Sequence, residues 1–271
     1  MRRRRPLSAM VALTALALSG TVFAAPGSAA PPAQQVSDDY VALGDSYSSG
    51  VGTREYFDDS GDCRRGPHAY PQLYADAAGV TEFAFVACSG AVTDDVDAEQ
   101  LDALDESTTL VTVSIGGNDV GFADVIQSCL LGDDAGCDEA VSTAEQEMRS
   151  ELPDKLDDTY DGISGAAPAA EVVVLGYPKL AELGDCGVPG FSETKRERIN
   201  AGADVLAGVL RERAEAAGFT FADPRSQFDG HGVCGEDEWV NGPSAPLVES
   251  FHPNIDGHAA GYLRVLEDAL A

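Results

Sequence analysis

Hydrophobic residues along the chain fall into short runs that alternate with longer, mixed stretches. Five of these runs have the length and apolar character of strands: Tyr40–Leu43, Phe83–Ala87, Leu110–Ile115, Glu171–Leu175 and Phe219–Ala222. A run that is apolar throughout, without polar alternation, is typical of a strand buried on both faces, as in a parallel sheet. The pattern therefore predicts a parallel sheet that is covered on both sides.

Helical spacing appears between or after these runs, at Tyr70–Ala78, Ser192–Ala217 and Ile255–Leu270. Gly79 and Gly218 follow the first two stretches directly, and glycine is common just after a helix ends. Strands that alternate with helices predict an α/β fold with right-handed crossovers. Residues 228–249 are rich in Gly and Pro and are predicted to form a long loop.

The first 30 residues have the pattern of a secretory signal peptide. Arg2 to Arg5 supply a positive start, an apolar run extends from Leu7 to Ala25, and small residues continue to Ala30. Cleavage after Ala24 or after Ala29 fits equally well. Polar interruptions of the run argue against a membrane anchor. We expect residues 1–30 to be removed and residues 31–271 to form a single secreted domain.

Charge excludes some classes of partner. The 271 residues contain 17 Lys+Arg and 46 Asp+Glu, a net charge of −29. Without the four arginines of the signal peptide, 13 basic residues remain and the net charge becomes −33. Such a chain lacks the basic surface that nucleic acids require, and anionic membranes repel it. We expect no nucleic-acid partner, no stable membrane anchor and a monomer.

Polar residues at the ends of the predicted strands suggest a reaction. Ser46, Gly90 and Asn118 follow the first three strands, and His252 precedes the last helix. Ligands of an open parallel sheet bind beyond the carboxyl ends of its strands. A histidine can take the proton of a serine nucleophile, while a glycine N–H and an asparagine amide can hold an oxyanion. The four residues therefore predict acyl transfer through a serine.

Each of these residues also has an ordinary structural interpretation. Ser46 could cap a helix, Gly90 and Asn118 could form turns, and His252 could lead into a helix. One such coincidence is credible, but four in the right places are not. For other polar residues the structural interpretation is preferred. We expect Asp45 and Asp119 to fix turns, and the remaining histidines to lie at the surface or in loops: His68, His231 and His258.

Four segments resemble the sequence blocks of the GDSL-type SGNH hydrolases. Residues 44–50 (GDSYSSG) are similar to the first block, Gly90 to the second, residues 116–119 (GGND) to the third and residues 250–254 (SFHPN) to the fifth. They stand in the family's order and span almost all of residues 31–271. The sequence is similar in particular to secreted actinobacterial esterases and lipases of this family.

The resemblance implies a three-layer α/β/α, flavodoxin-like parallel sheet and no metal or organic cofactor. It implies hydrolysis of carboxylic esters through an acyl-enzyme on Ser46, with His252 as the base. Ser46, Gly90 and Asn118 would form the oxyanion hole. Trp239 and Phe251 are candidates for an acyl pocket, although buried packing explains them equally well.

The third member of the triad departs from the family pattern Asp-x-x-His, because Glu249 occupies the acidic position. Its side chain could orient the imidazole, as the acid does in other triads. Alternatively, a backbone carbonyl of Ser250 or Glu249 could support His252. The sequence favours the carbonyl slightly and leaves both alternatives open.

Six cysteines in a secreted chain indicate disulfides, and six allow fifteen connectivities. The resemblance implies three bridges between sequential neighbours: Cys63–Cys88, Cys129–Cys137 and Cys186–Cys234. Within the ester hydrolases, an esterase, lipase, phospholipase or carbohydrate deacetylase all remain open. A non-catalytic secreted binding protein and a secreted peptidase are the alternatives from other classes.

Overall fold

Five parallel strands form the centre of the fold. The structure is a computed structural model that describes residues 39–271, so the expected signal peptide and its boundary at residue 30 lie outside the described residues. The strands are β1 (Asp39–Gly44), β2 (Glu82–Phe85), β3 (Leu110–Ser114), β4 (Glu171–Leu175) and β5 (Thr220–Ala222). Their order in the sheet is β2-β1-β3-β4-β5. The predicted parallel α/β fold is confirmed.

Eight helices accompany the strands in this part of the chain: α1 (Ser46–Ser49), α2 (Tyr70–Ala78), α3 (Thr93–Asp95), α4 (Phe122–Leu131), α5 (Asp134–Ser150), α6 (Leu152–Ala166), α7 (Glu193–Ala216) and α8 (Leu263–Ala269). One group packs together through contacts of α5 with α4, α6 and α7, and α2 packs against α8. Between residues 39 and 271, no helix is long and apolar enough to cross a membrane.

The sequence analysis did not identify α4, α5 and α6, which connect β3 to β4. A signal for α6 was nevertheless present, because Leu152, Leu156, Tyr160 and Ile163 recur at helical spacing and are buried. The last helix also differs from the prediction of one helix over Ile255–Leu270, because a wider π-helical segment (Gly257–Tyr262) precedes α8. Glycines allow close packing there: a Cβ on Gly261 would lie 2.5 Å from the ring of Phe228.

The strand order explains where the site forms. β1 lies between β2 and β3, so the chain leaves β1 towards one edge and returns on the other side. Such a reversal opens a crevice at the carboxyl ends of the two central strands. Gly44, at the end of β1, has φ +119, and a Cβ there would lie 2.4 Å from the carbonyl oxygen of Ser114. Glycine therefore lets the chain turn into α1 directly beside β3.

Three disulfides connect Cys63 with Cys88, Cys129 with Cys137 and Cys186 with Cys234, the pairs that the resemblance implies. The first holds the segment after β2, which contains Gly90, against the 3₁₀ turn Gly61–Cys63. The Ser89 N–H donates to the Cys63 carbonyl at 3.1 Å and reinforces that link. The second joins the last turn of α4 to the first turn of α5. Both disulfides therefore stabilise segments near the crevice.

Candidate active site

Ser46 is the first residue of α1, immediately after the turn that ends β1. Asp45 caps this helix, since its carboxylate accepts a hydrogen bond from the Tyr47 N–H at 2.9 Å. The Oγ of Ser46 lies 2.8 Å from Nε2 of His252, which arrives from the loop before the last helix. The structure thus brings together two residues that are 206 positions apart in the sequence.

The other ring nitrogen of His252 identifies its tautomer. Nδ1 lies 2.9 Å from the carbonyl oxygen of Ser250. Because a carbonyl can only accept, Nδ1 carries the proton and donates to it. Nε2 is then unprotonated and accepts a hydrogen bond from the Ser46 hydroxyl. This is the arrangement that a general base needs in order to activate a serine.

Glu249 is placed away from His252. Its residue is only 3 % exposed, and its Oε1 accepts a hydrogen bond from the Tyr56 hydroxyl at 2.7 Å. Among the described residues, none bonds its other oxygen, Oε2. Of the two alternatives that the sequence left open, this geometry matches the Ser250 carbonyl and not the Glu249 side chain.

Three further hydrogen bonds hold the loop that carries His252. The Phe251 N–H donates to the Asn241 carbonyl at 2.8 Å, and the Asn241 N–H donates to the His252 carbonyl at 2.9 Å. On the other side, the Tyr47 hydroxyl donates to the Phe251 carbonyl at 2.6 Å. Phe251 has φ +59, a strained backbone conformation for a bulky residue. The imidazole is therefore held from both α1 and the preceding loop.

Burial sets the charge of His252. His252 is 8 % exposed, and this burial lowers its pKa to about 4, although the hydrogen bond with the Ser250 carbonyl opposes the shift. Desolvation disfavours the charged imidazolium, so the ring is neutral at pH 7. A neutral imidazole is ready to accept a proton.

Three candidate oxyanion donors border the same cleft as Ser46 and His252. These are the N–H groups of Ser46 and Gly90 and the side-chain amide of Asn118. Asn118 Nδ2 donates one proton to the Ala91 carbonyl at 2.9 Å, which leaves its second proton available. Within residues 39–271, no acceptor bonds the N–H of Ser46 or Gly90. The arrangement suits an anion that forms next to Ser46 Oγ.

Asp119 was expected to fix a turn, and it does more than this. Its carboxylate accepts hydrogen bonds from the Thr93 N–H at 3.1 Å and the Thr93 hydroxyl at 2.6 Å. Lys155 Nζ lies 3.6 Å away. Because Thr93 begins the helical turn after Gly90, Asp119 connects the loop of Asn118 to the loop of Gly90 and fixes their separation.

Asp45 also has partners beyond its helix cap. Its Oδ1 accepts from the Ser114 hydroxyl at 3.0 Å, and its Oδ2 accepts from the Tyr177 hydroxyl at 2.6 Å. Burial raises the pKa of Asp45 to about 6, while the hydrogen bond from Tyr177 opposes this shift. Tyr177 was not predicted to be part of the site. It directly follows Gly176 after β4, and this position at a strand end does not indicate which side chain it contacts.

The prediction for His258 was wrong. It is fully buried and stacks against the rings of Tyr70 and Tyr262, because the last helix turns this face inward. Burial lowers its pKa to about 3, so it is neutral. His68 lies near Glu55 at the surface, and His231 stacks on Trp239 in the long loop, as expected for these two.

The cleft has a volume of about 510 Å³ and apolar walls that include Phe122, Ile126, Leu130 and Phe251. Of the two aromatic residues considered for an acyl pocket, Phe251 therefore borders the cleft. Trp239 instead packs against Phe228 and His231. Phe122 and Ile126 also border a smaller apolar cavity of about 60 Å³. Within the described residues, no cluster of His, Cys, Asp and Glu is arranged to hold a metal ion.

Comparison with known proteins gives consistent matches. The model of the GDSL-like Lipase/Acylhydrolase family matches residues 42–260. Lipase 1 of Streptomyces coelicolor is 48 % identical over 270 residues, 99 % of this chain and 100 % of that protein. The crystal structure of an extracellular lipase from Streptomyces rimosus has a TM-score of 0.84 and 45 % identity, covering 86 % of this chain and 100 % of that one. Phospholipase A1 from Streptomyces albidoflavus has a TM-score of 0.84 and 46 % identity, covering 86 % and 99 %.

Glu249→Gln tests which group supports His252. Since the carboxylate bonds Tyr56 and the amide can still accept that bond, we expect kcat to stay close to the wild-type value. Loss of an orienting carboxylate would instead reduce kcat by about 10³-fold or more. Tyr56→Phe, which removes this hydrogen bond but keeps the Glu249 carboxylate, is the matched control. A 10³-fold loss in Glu249→Gln alone would contradict the carbonyl arrangement.

The pH profile tests the state of the base. Because a lowered pKa means that His252 binds a proton less readily, the active neutral form persists into acid. We expect kcat/KM for a monomeric nitrophenyl ester to fall with a midpoint near pH 4 rather than near the ordinary value of 6.5. Tryptophan fluorescence at each pH checks that the protein remains folded. Because Asp45 has a pKa of about 6, the profile is repeated with Asp45→Asn, and a midpoint near 6.5 in both folded proteins would refute the effect of burial on His252.

Proposed function

The chain belongs to the GDSL-like lipase/acylhydrolase family, and from this premise we propose that it is a secreted hydrolase of lipid or small acyl esters. The observation that carries the proposal is the Ser46–His252–Ser250 arrangement beside an apolar cleft. This arrangement provides a nucleophile, a base and a place for an acyl group within one polypeptide, so a monomer is sufficient.

The reaction proceeds in two steps. Ser46 Oγ attacks the ester carbonyl while His252 Nε2 takes its proton, and the tetrahedral intermediate forms. His252 then returns this proton to the leaving alcohol, and an acyl-enzyme on Ser46 remains. A water molecule attacks the acyl-enzyme with His252 again as the base, which releases the acid and restores the serine.

The N–H groups of Ser46 and Gly90 and the Asn118 amide stabilise the oxyanion of each intermediate. The Ser250 carbonyl stabilises the imidazolium that forms at the same time, because it accepts from Nδ1. A carbonyl carries only a partial negative charge. Its support for the charged ring is therefore weaker than that of a carboxylate, and the three oxyanion donors carry more of the stabilisation.

The apolar walls of the cleft favour an acyl chain as the part of the substrate that is bound. A phospholipase is the second candidate, because a similar structure is that of phospholipase A1 from Streptomyces albidoflavus. Residues 1–30 are proposed to be the export signal, in agreement with the similarity to an extracellular lipase. The three disulfides are stable in an oxidising compartment and support the same location.

A substrate panel tests the proposed class. We expect turnover of nitrophenyl esters of increasing chain length, of triglyceride or of phosphatidylcholine, and none with Ser46→Ala. A serine-directed phosphonate should label the wild type and not Ser46→Ala. Turnover of acetylated sugars alone would indicate a deacetylase, and preference for amides a peptidase. A folded wild type that the phosphonate does not label would indicate a binding protein.

Asn118→Ala tests the oxyanion hole. Removal of one donor from such a site reduces kcat by about 10²–10³-fold. We expect this loss with little change in KM, because the donor acts mainly on the intermediate. Gln127→Ala is the control, since it removes a second amide that borders the cleft but is not among the three donors. Equal rates for Asn118→Ala and the wild type would remove Asn118 from the proposed hole.

A further inference from the structure

Two exposed leucines stand at the mouth of the cleft. Leu131 is 78 % exposed and Leu247 is 81 % exposed, which makes them the most exposed large hydrophobic residues of the described chain. Both border the cleft that contains Ser46 and His252. A single exposed leucine is ordinary, but apolar residues grouped around a functional opening indicate an interaction surface. We call Leu131 and Leu247 the rim leucines.

Leu131 is held firmly although its side chain faces solvent. It is the last residue of α4, and the disulfide Cys129–Cys137 ties this end of the helix to α5. Lys195 is buried, and its Nζ donates to the Gly132 carbonyl at 2.7 Å and to the Gly190 carbonyl at 2.7 Å. The backbone on both sides of Leu131 is therefore fixed by strong contacts.

Leu247 is held in a similar way by a short turn of its own. It begins a 3₁₀ turn, Leu247–Glu249, and its carbonyl accepts from the Ser250 N–H at 3.0 Å. Glu249 anchors this turn from inside through the hydrogen bond from Tyr56. The carboxylate that does not orient His252 thus holds the turn that exposes Leu247. Ser250, whose carbonyl supports His252, is the next residue.

We propose that the rim leucines insert into the surface of a zwitterionic lipid aggregate and dock the cleft on it. This inference rests on the proposed function, since it names the physical form in which the ester is met. Insertion of leucine gains free energy by removing apolar surface from water, and it needs no charge on the lipid. The net charge of −29 opposes approach to an anionic surface. The complementary partner is therefore a phosphatidylcholine surface.

The fixed backbone around the rim leucines supports insertion into lipid. A side chain on a fixed backbone loses less conformational freedom when it inserts than one on a mobile loop, so more of the transfer free energy appears as binding. The two leucines come from different elements that border the cleft, α4 and the turn before His252. Insertion of both would place the cleft mouth against the lipid, where an ester can enter without crossing water.

The test separates docking from catalysis. Leu131→Ser, Leu247→Ser and the double variant are made in the Ser46→Ala background, and their binding to phosphatidylcholine vesicles is measured by sedimentation. We expect affinity to fall about tenfold for each leucine, as expected for loss of a buried leucine side chain. Leu183→Ser is the matched control, because Leu183 is 51 % exposed but does not border the cleft. It should bind like the parent.

Catalysis is measured in the same variants with Ser46 intact. Hydrolysis of monomeric nitrophenyl acetate should be unchanged, which also shows that the variants fold. Hydrolysis of phosphatidylcholine vesicles at low lipid concentration should fall in proportion to the loss of affinity.

The possible contradicting results are distinguishable. Absence of nitrophenyl acetate turnover in the wild type would refute the proposed function and leave the vesicle-binding result independent of it. Wild-type affinity in the double variant, an equal loss in Leu183→Ser, or no vesicle binding by the parent would overturn docking. Conversion of a dimer to a monomer by the double variant would show self-association instead.

Discussion

The rest of the site depends on the hydrogen bonds that the buried carboxylate of Asp45 accepts. A carboxylate removed from water is costly unless hydrogen-bond donors surround it. Asp45 meets this requirement with the Tyr47 N–H, the Ser114 hydroxyl and the Tyr177 hydroxyl. These donors come from α1, from the end of β3 and from the segment after β4. Satisfying one buried charge therefore holds α1 against the ends of β3 and β4.

From this anchor, hydrogen bonds extend to the base. Tyr47 donates its N–H to Asp45 and its hydroxyl to the Phe251 carbonyl, so one side chain spans from the nucleophile to the histidine loop. Each link is buried, where competing water is absent and a hydrogen bond is stronger. These links hold the two segments that carry Ser46 and His252, whose side chains lie 2.8 Å apart.

Because the Ser250 carbonyl lies beside His252, the nearby carboxylate of Glu249 is not needed to orient the imidazole. Ser250 provides an acceptor without a second full charge beside the ring, and burial keeps the imidazole neutral. Glu249 is then available to fix the turn that ends in Ser250. One short segment, residues 247–252, thus contains the rim, its anchor, the supporting carbonyl and the base.

Much of this protein follows from the sequence by itself. Continuous apolar runs determined the parallel strands, because only a sheet covered on both faces needs them. The strand-end residues Ser46, Gly90 and Asn118 were identifiable, since the carboxyl ends of parallel strands meet at one edge. His252 was identifiable from its segment and its order. The helices α4 to α6 were less evident. On α5 and α6, charged residues obscure the buried stripe. α4 is short and mostly apolar, and spacing alone does not distinguish such a run from a buried strand. Only the tertiary structure decided that Glu249 bonds Tyr56, that His258 is buried and that Tyr177 supports Asp45. These outcomes depend on which distant side chains approach within hydrogen-bond distance, and the spacing of residues along a chain does not contain that information.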